Sequence, residues 1–538
     1  VTEFRRVLSD LMRKQTFKVR LLSLIALCGI VMVFASCSNE DVAQSTVETN
    51  TENNSNLTSF VTGAAATRTS LNYDNGAFFW EAGDHIYVKD DNGTWNKSSN
   101  APTEKTASFK FMVPGKYTNS TTYKVYYPGK NGLNNNVTIS GTQSQAQPNS
   151  TTHIGEAGDC GTADATGGNG VFNFRLDHQA AILVFQPFTN NTGVKNCQLT
   201  KIEVTSDNDI TGTYTLDTTT GELTGSASGK SITMTTKGSG SYANGFPLTN
   251  STADLATNGA YVVIRPGRHA LTVRYWIKDY ATNVEGAITK TYDSFKYEKN
   301  DYYDMTANIN VTDYDGTKYY MWDAQKNYWN GYEWNSANPS QPVLAYESNS
   351  NYPTFGSDRY FHGNEGYGRM DATSSCKDLP NANELGWYVK NGDPHWDDDK
   401  LWTAMGHLYK GGMWFREKSL IRMLTSFQSD QGPGYMDMRK DFNNLVVTPT
   451  QGAPVGYFGS RSFFLPALGQ YYNGQLTEIG QTGYYWSSSA SPGDSNWAYL
   501  LQFSKSEVIV NTTQSDGGFY VRSEERRVGK ECASMCRS

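Results

Sequence analysis

Between Ser59 and Thr312 the apolar positions recur in short runs with a period of two. Asp84-His85-Ile86-Tyr87-Val88 and Leu199-Thr200-Lys201-Ile202-Glu203-Val204 alternate in this way, as strands buried on one face should. Tyr261-Val262-Val263-Ile264 is unbroken and closes on Pro266-Gly267, which predicts a strand buried on both faces. The pairs Asn75-Gly76, Asn92-Gly93 and Asp315-Gly316 supply positive φ and favour tight hairpins. No long helical period interrupts this region, so β-sandwiches are expected there. After Asp313 the pattern changes. Nine of the 12 Trp fall in 313–522, with short helices predicted around Asn381–Val389 and Glu417–Phe427. Asn381 suits an N-cap. The expected fold is therefore mainly β: one sandwich over 59–165, a second over 166–312, and an α+β domain over 313–522. The first divide is placed in the Gly-rich stretch Gly161–Gly170.

The ends of the chain read differently. Met12 is followed by Arg13, Lys14, Lys18 and Arg20, then by the apolar run Leu21 to Phe34. A basic start, a short apolar stretch and small residues make a secretory signal peptide, expected over 1–36, with 1–11 as upstream sequence. The run ends Phe34-Ala35-Ser36-Cys37 and resembles a bacterial lipobox, with Phe34 where Leu is usual. The resemblance implies a lipid on Cys37. Residues 38–58 hold almost no large apolar groups, so 37–58 is expected to be a lipid anchor and flexible tether. From Arg522 the chain reads RSEERRVGKEC, which resembles a translated sequencing adapter. Residues 523–538, with Cys532 and Cys536, therefore receive no functional reading.

Charge narrows the partners. The whole chain is −7; the two ends carry ten basic and five acidic groups, and without them 36 basic groups stand against 48 acidic, a net of −12. Such a surface repels phosphate backbones, and no basic stripe compensates, so nucleic acid is not an expected partner. The 486 residues left are too many for one core. Cys160, Cys197 and Cys376 make neither a disulfide framework nor a zinc spacing, and sequence leaves open whether any of them pair.

Residues 60–312 resemble the fimbrillin family of Bacteroides-type bacteria. The matching features are Thr67-Arg68-Thr69, Phe79-Trp80-Glu81-Ala82-Gly83-Asp84, Tyr126-Tyr127-Pro128, Thr142-Gln143, Phe172-Asn173-Phe174 ahead of His178-Gln179-Ala180-Ala181, the Tyr261–Gly267 strand, and Phe295 to Tyr303. The resemblance implies two tandem transthyretin-like sandwiches, lipoprotein export, and strand exchange with other fimbrial subunits after proteolysis at an Arg. Arg68 is the candidate processing site; the alternative is a solvated Arg on an edge strand. Residues 313–522 resemble the Fibrobacter major-paralogue domains, of C-type-lectin-like fold. Here the signature is Phe464-Leu465-Pro466-Ala467-Leu468-Gly469, Ile479-Gly480, Gly483-Tyr484-Tyr485-Trp486-Ser487-Ser488-Ser489 and Val521-Arg522, with Leu379-Pro380-Asn381 at a helix start. Family members carry Cys after the Val-Arg, where Ser523 stands here, and this implies that Cys376 has lost its partner.

Catalytic constellations are missing from the sequence. None of the seven His forms HExxH. Gly456-Tyr457-Phe458-Gly459-Ser460 has the wrong order for a nucleophile elbow. Gly225-Ser226-Ala227-Ser228-Gly229-Lys230-Ser231 is one residue short of a phosphate loop and reads as a hairpin loop. His395-Trp396-Asp397-Asp398-Asp399 could offer oxygens to calcium or form a solvated acidic loop, and consecutive side chains seldom converge on one ion. The EPN, QPD and WND sugar motifs of calcium-dependent lectins do not occur. No enzyme activity, cofactor or metal is expected. Aromatic residues remain as the binding signal: Trp396, Trp402 and Trp414 are candidates either for ligand contact or for the core, while Trp486 is expected in the core. The resulting expectation is an outer-membrane lipoprotein of the cell surface that acts in adhesion as a fimbrial tip subunit and binds a glycan or protein. Its rival is a non-fimbrial lipoprotein that captures glycans. An oxidase of lectin-like fold would need reactive cysteines, and only Cys376 falls in that domain.

Overall fold

The computed structural model describes residues 14–16, 57–62, 70–73, 77–225, 229–361, 371–494 and 496–522. The expected leader, apart from Lys14–Thr16, most of the tether and the adapter-like tail lie outside them. The fold is mainly β, as the alternation predicts. It divides into two compact units. The first holds the chain up to Thr189, Gln198–Trp276 and Ile288–Ile309; the second holds Asn190–Cys197, Ile277–Ala287 and the chain from Asn310.

One sheet of the first unit runs in the order Trp95–Lys97, Tyr87–Lys89, Thr122–Tyr127, Gly161–Gly168, Val171–Phe174, Leu57–Thr62, Lys110–Pro114. Period two sorts its side chains, and Phe60, Val88, Phe111, Val125 and Phe172 turn inward around Trp80. The indole N–H of Trp80 donates to Thr62 Oγ1 at 3.2 Å, which satisfies the one polar atom that burial of this ring would otherwise orphan. Asp84 stands ahead of the strand rather than in it. Its carboxylate is buried and accepts from the Glu81 amide at 2.7 Å and the Tyr127 hydroxyl at 2.9 Å.

A second, four-stranded sheet of this unit is built around Ala181–Phe188, which runs antiparallel to Ala260–Ile264 and parallel to Asp301–Asn308. Ala260–Ile264 is buried at every position, in accord with its unbroken apolar run. Lys14–Thr16 lies antiparallel to Asp301–Tyr303. Gln198–Ser206 alternates from Lys201 onward, where it pairs with Ser231–Thr236. Two strands from earlier in the chain join in: Asn136–Ile139 pairs with Gly212–Leu216, and Thr142–Gln145 runs parallel to Ser231–Thr236. Position 165, the expected divide, falls inside the strand Gly161–Gly168. The glycines there belong to a hairpin and not to a linker. Gly168 pairs with Val171, and Asn169 and Gly170 form the turn with φ of 54° and 77°, the backbone that a two-residue loop requires.

The second unit has two main sheets. One contains Thr312–Tyr314, His395–Ala404, His407–Arg416 and Ser462–Pro466; the other contains Thr482–Ala490, Trp497–Ser504 and Val508–Gln514 at its centre. The helix Ala382–Asn391 begins where its cap predicts. Asn381 Oδ1 accepts from the Glu384 amide at 3.0 Å, and Glu384 Oε2 accepts from the Asn381 amide at 3.2 Å, a reciprocal capping box. The helix expected around Glu417–Phe427 covers Lys418–Leu424. Trp329, Met413, Phe415, Tyr471 and Phe503 help fill the core, and Trp486 is buried against Phe519 with ring centroids 4.3 Å apart. Cys160, Cys197 and Cys376 are buried free thiols.

Candidate functional site

Two of the expected site residues, Cys37 and Arg68, lie outside the described residues. The other three sit on one hairpin of the second unit, made by His395–Ala404 and His407–Arg416. Its register shifts between Asp397 and Leu401, so Asp398, Asp399 and Lys400 bulge into solvent. Trp402 is 1% exposed and Trp396 3%. Trp402 donates to the Gly411 carbonyl at 2.9 Å and stacks on Tyr409 at 5.0 Å. These two indoles are core residues here, packed into the main cluster of the unit. Trp414 is only half-buried. Phe464 packs beside its ring at 5.1 Å and Lys400 Nζ lies over it at 5.5 Å.

The acidic run is spent on this hairpin. Asp397 Oδ1 accepts from the amides of Asp399 and Lys400, both at 3.0 Å, and its Oδ2 accepts from the Trp414 indole at 3.0 Å. Asp398 accepts from the Trp396 indole and from Lys505 Nζ, each at 2.5 Å. Burial pushes the Asp398 carboxyl up, but Lys505 and Trp396 outweigh it and hold it below its ordinary value. Among the described residues no group of three or more His, Cys, Asp or Glu could hold a metal ion. The false nucleophile elbow is a helical turn, Gly456–Gly459. Leu223–Thr224 and Ser231–Thr236 flank the false phosphate loop, of which 226–228 lie outside the described residues.

A groove that no sequence motif marks is richer in unspent chemistry. Gln470–Tyr472 and Gln475–Thr477 form a hairpin in the register Gln470–Thr477, Tyr471–Leu476, Tyr472–Gln475. Asn473 and Gly474 make its two-residue turn, with φ of 47° and 77°. Tyr471 and Leu476 are fully buried, so alternation puts Gln470, Tyr472, Gln475 and Thr477 together on the other face. The backbones of Tyr471 and Gly518 exchange hydrogen bonds of 2.9 and 2.8 Å, which fastens the hairpin beside the segment 513–519. Between them is a groove of about 330 Å³, bordered by these side chains, by Gln514 and by Asp516, with Phe519 also lining it. Tyr472 is 53% exposed. The available sequence signal is Asn473-Gly474 between two short alternating runs, which lie in the gap between the family-like motifs at 464–469 and 479–489.

No family model and no curated protein matches the sequence. Solved structures do match in part. A candidate cell adhesion protein from Bacteroides ovatus is 14% identical, with 47% of this chain and 93% of that one covered and a TM-score of 0.28. A fimbrial assembly protein from Parabacteroides distasonis is 12% identical, covering 47% and 91%, with a TM-score of 0.24. A fimbrial protein from Bacteroides ovatus is 12% identical, covering 86% and 97%, with a TM-score of 0.23. Likeness at these identities and TM-scores assigns neither a fold nor a function to this chain.

Proposed function

We propose that this chain is a cell-surface adhesion subunit. In this reading it is exported as a precursor anchored through Cys37 to the outer membrane and, once processed at Arg68, placed at the tip of a fimbria, where its C-terminal unit binds a glycan or protein. The supporting observation is the fate of the chain after the strand Asp301–Asn308. A subunit that passes a strand to its neighbour needs a free extended segment there. In this chain Thr312–Tyr314 is already paired, parallel to Trp402–Ala404, and Thr403 Oγ1 donates to Asp313 Oδ1 at 2.8 Å. One side of this strand is already paired within its own unit, so in this reading the segment is docked at home and not offered to a neighbour. Such a subunit ends a fibre.

The accepting edge has a candidate in Asp301–Asn308. Its partner on one side, Lys14–Thr16, belongs to the leader that export would remove. Removal leaves a row of open backbone donors and acceptors that a neighbour's strand can complete. Arg68 is the proposed second processing site, and cleavage there would separate Leu57–Thr62, which lies between Val171–Phe174 and Lys110–Pro114, from the rest of the chain. The reading is one of binding and involves no catalysis. Quantifying this chain against the main subunit in purified filaments tests it. About one copy per filament, independent of filament length, is expected; a copy number that grows with length would overturn the tip assignment.

A further inference from the structure

We propose that the groove beside the hairpin Gln470–Thr477 is a binding site for a neutral oligosaccharide. The inference rests on the adhesion reading for its biological setting and on the groove's own chemistry for its ligand. Three features identify the class. First, the hairpin presents an aromatic ring next to side-chain amides. Tyr472 offers a half-exposed flat face, and the C–H face of a pyranose ring is apolar enough to stack on it while its hydroxyls stay polar.

Second, the amides are available. Gln475 Nε2 donates to the Tyr346 carbonyl at 3.1 Å, which fixes that side chain and leaves its Oε1 to accept. The polar side-chain atoms of Gln470, Thr477 and Gln514 have no hydrogen-bond partner among the described residues. An amide both donates and accepts, and a hydroxyl does the same, so a row of amides suits a row of sugar hydroxyls. The contrast with Asp397 and Asp398 is direct, since their oxygens are already committed to indoles, amides and Lys505.

Third, the charge excludes the alternatives. Among the described residues, Asp516 is the one acidic side chain lining the groove, and no Lys or Arg lines it. A sulfate, phosphate or sialic-acid carboxylate placed there would meet an uncompensated negative charge, which costs free energy that a neutral sugar does not lose. The groove is also built ahead of any ligand. The Asn473-Gly474 turn, the buried anchors Tyr471 and Leu476 and the reciprocal Tyr471–Gly518 bonds hold its two walls, so little ordering is required on binding. A site this small engages one or two sugar rings weakly, and useful adhesion would come from many filaments, each with its own copy, acting together.

The test applies the full chain to an array of galactose-, glucose-, mannose- and N-acetylglucosamine-terminated oligosaccharides, with their sialylated and sulfated forms alongside. Binding to at least one neutral glycan is expected, with a tenfold or greater loss in Tyr472→Ala, a several-fold loss in Gln475→Ala and retention in Tyr472→Trp. Thermal melting of each variant separates lost binding from lost folding, and Gln514→Lys provides a second variant on the opposite wall. No bound neutral glycan, preference for the acidic forms, or equal binding by folded Tyr472→Ala would each overturn the proposal. Adhesion by cells expressing the chain distinguishes this failure from that of the wider reading. Filaments that adhere equally well with Tyr472→Ala would remove the groove and leave the adhesion role. Glycan binding that depends on Tyr472 in a chain that never enters filaments would do the reverse.

Discussion

Single residues divide here into those that hold the fold and those left open to a partner. Trp402 is fully enclosed with its N–H satisfied, so Trp402→Ala should cost about 3–5 kcal/mol and lower the denaturation midpoint of the second unit. Trp414 keeps part of its face in solvent, so Trp414→Ala should cost about 1–2 kcal/mol. Equal losses in chemical denaturation would contradict the distinction. His153 provides a test in the first unit. Burial pushes its imidazole down to about 4, against the pull of its bond to the Tyr261 carbonyl at 2.9 Å. The unfolded chain, with a His pKa of about 6.5, therefore binds a proton that the folded chain refuses. Stability is complete above that value and falls as pH drops towards 4, by about 3 kcal/mol for this group. His153→Gln keeps a donor for the Tyr261 carbonyl and should flatten the fall in unfolding midpoint between pH 7 and 4. An unchanged slope would contradict this assignment.

At the scale of elements, the helix Ala382–Asn391 depends on its first turn, where two otherwise orphaned amides are satisfied. Asn381→Ala removes the bond to the Glu384 amide while keeping the backbone amide that donates to Glu384, and should destabilise the second unit by about 1 kcal/mol; an unchanged midpoint would show that packing alone defines the helix start. This cap is legible in the sequence because Leu379-Pro380-Asn381 followed by Glu384 is a local signal. The buried strand Ala260–Ile264 and the alternating strand Gln198–Ser206 are legible for the same reason, since burial repeats along the element itself. The divide at 165 is not, because glycine composition marks turns and linkers alike, and only pairing across the sheet tells them apart. Trp396 and Trp402 are ambiguous in sequence because an indole on a strand can line a core or a ligand site, and only the packing against residues such as Tyr409 and Met413 tells which. The groove is hidden from sequence because its four outward side chains matter only as neighbours, and they become neighbours through the register of a hairpin. That register leads to a further expectation. Gly474→Ala would drive a methyl group into the Asn349 carbonyl oxygen at a positive φ, so it should loosen the hairpin and weaken neutral-glycan binding several-fold. Undiminished glycan binding by this variant would argue that the turn does not shape the site.

At the scale of the whole molecule, the tip assignment combines an accepting edge in the first unit with a C-terminal unit whose first strand, Thr312–Tyr314, is already paired. On the tip proposal, a chain with this organisation would end a polymer. The net charge of −7 over the full chain, and −12 without its ends, fits a surface that keeps clear of polyanions. Immunogold electron microscopy of cells expressing the chain, with antibody raised against 313–522, tests the tip assignment most directly. Gold at the ends of filaments is the expected result; gold spread evenly over the outer membrane without filaments, or along filament shafts, would contradict it.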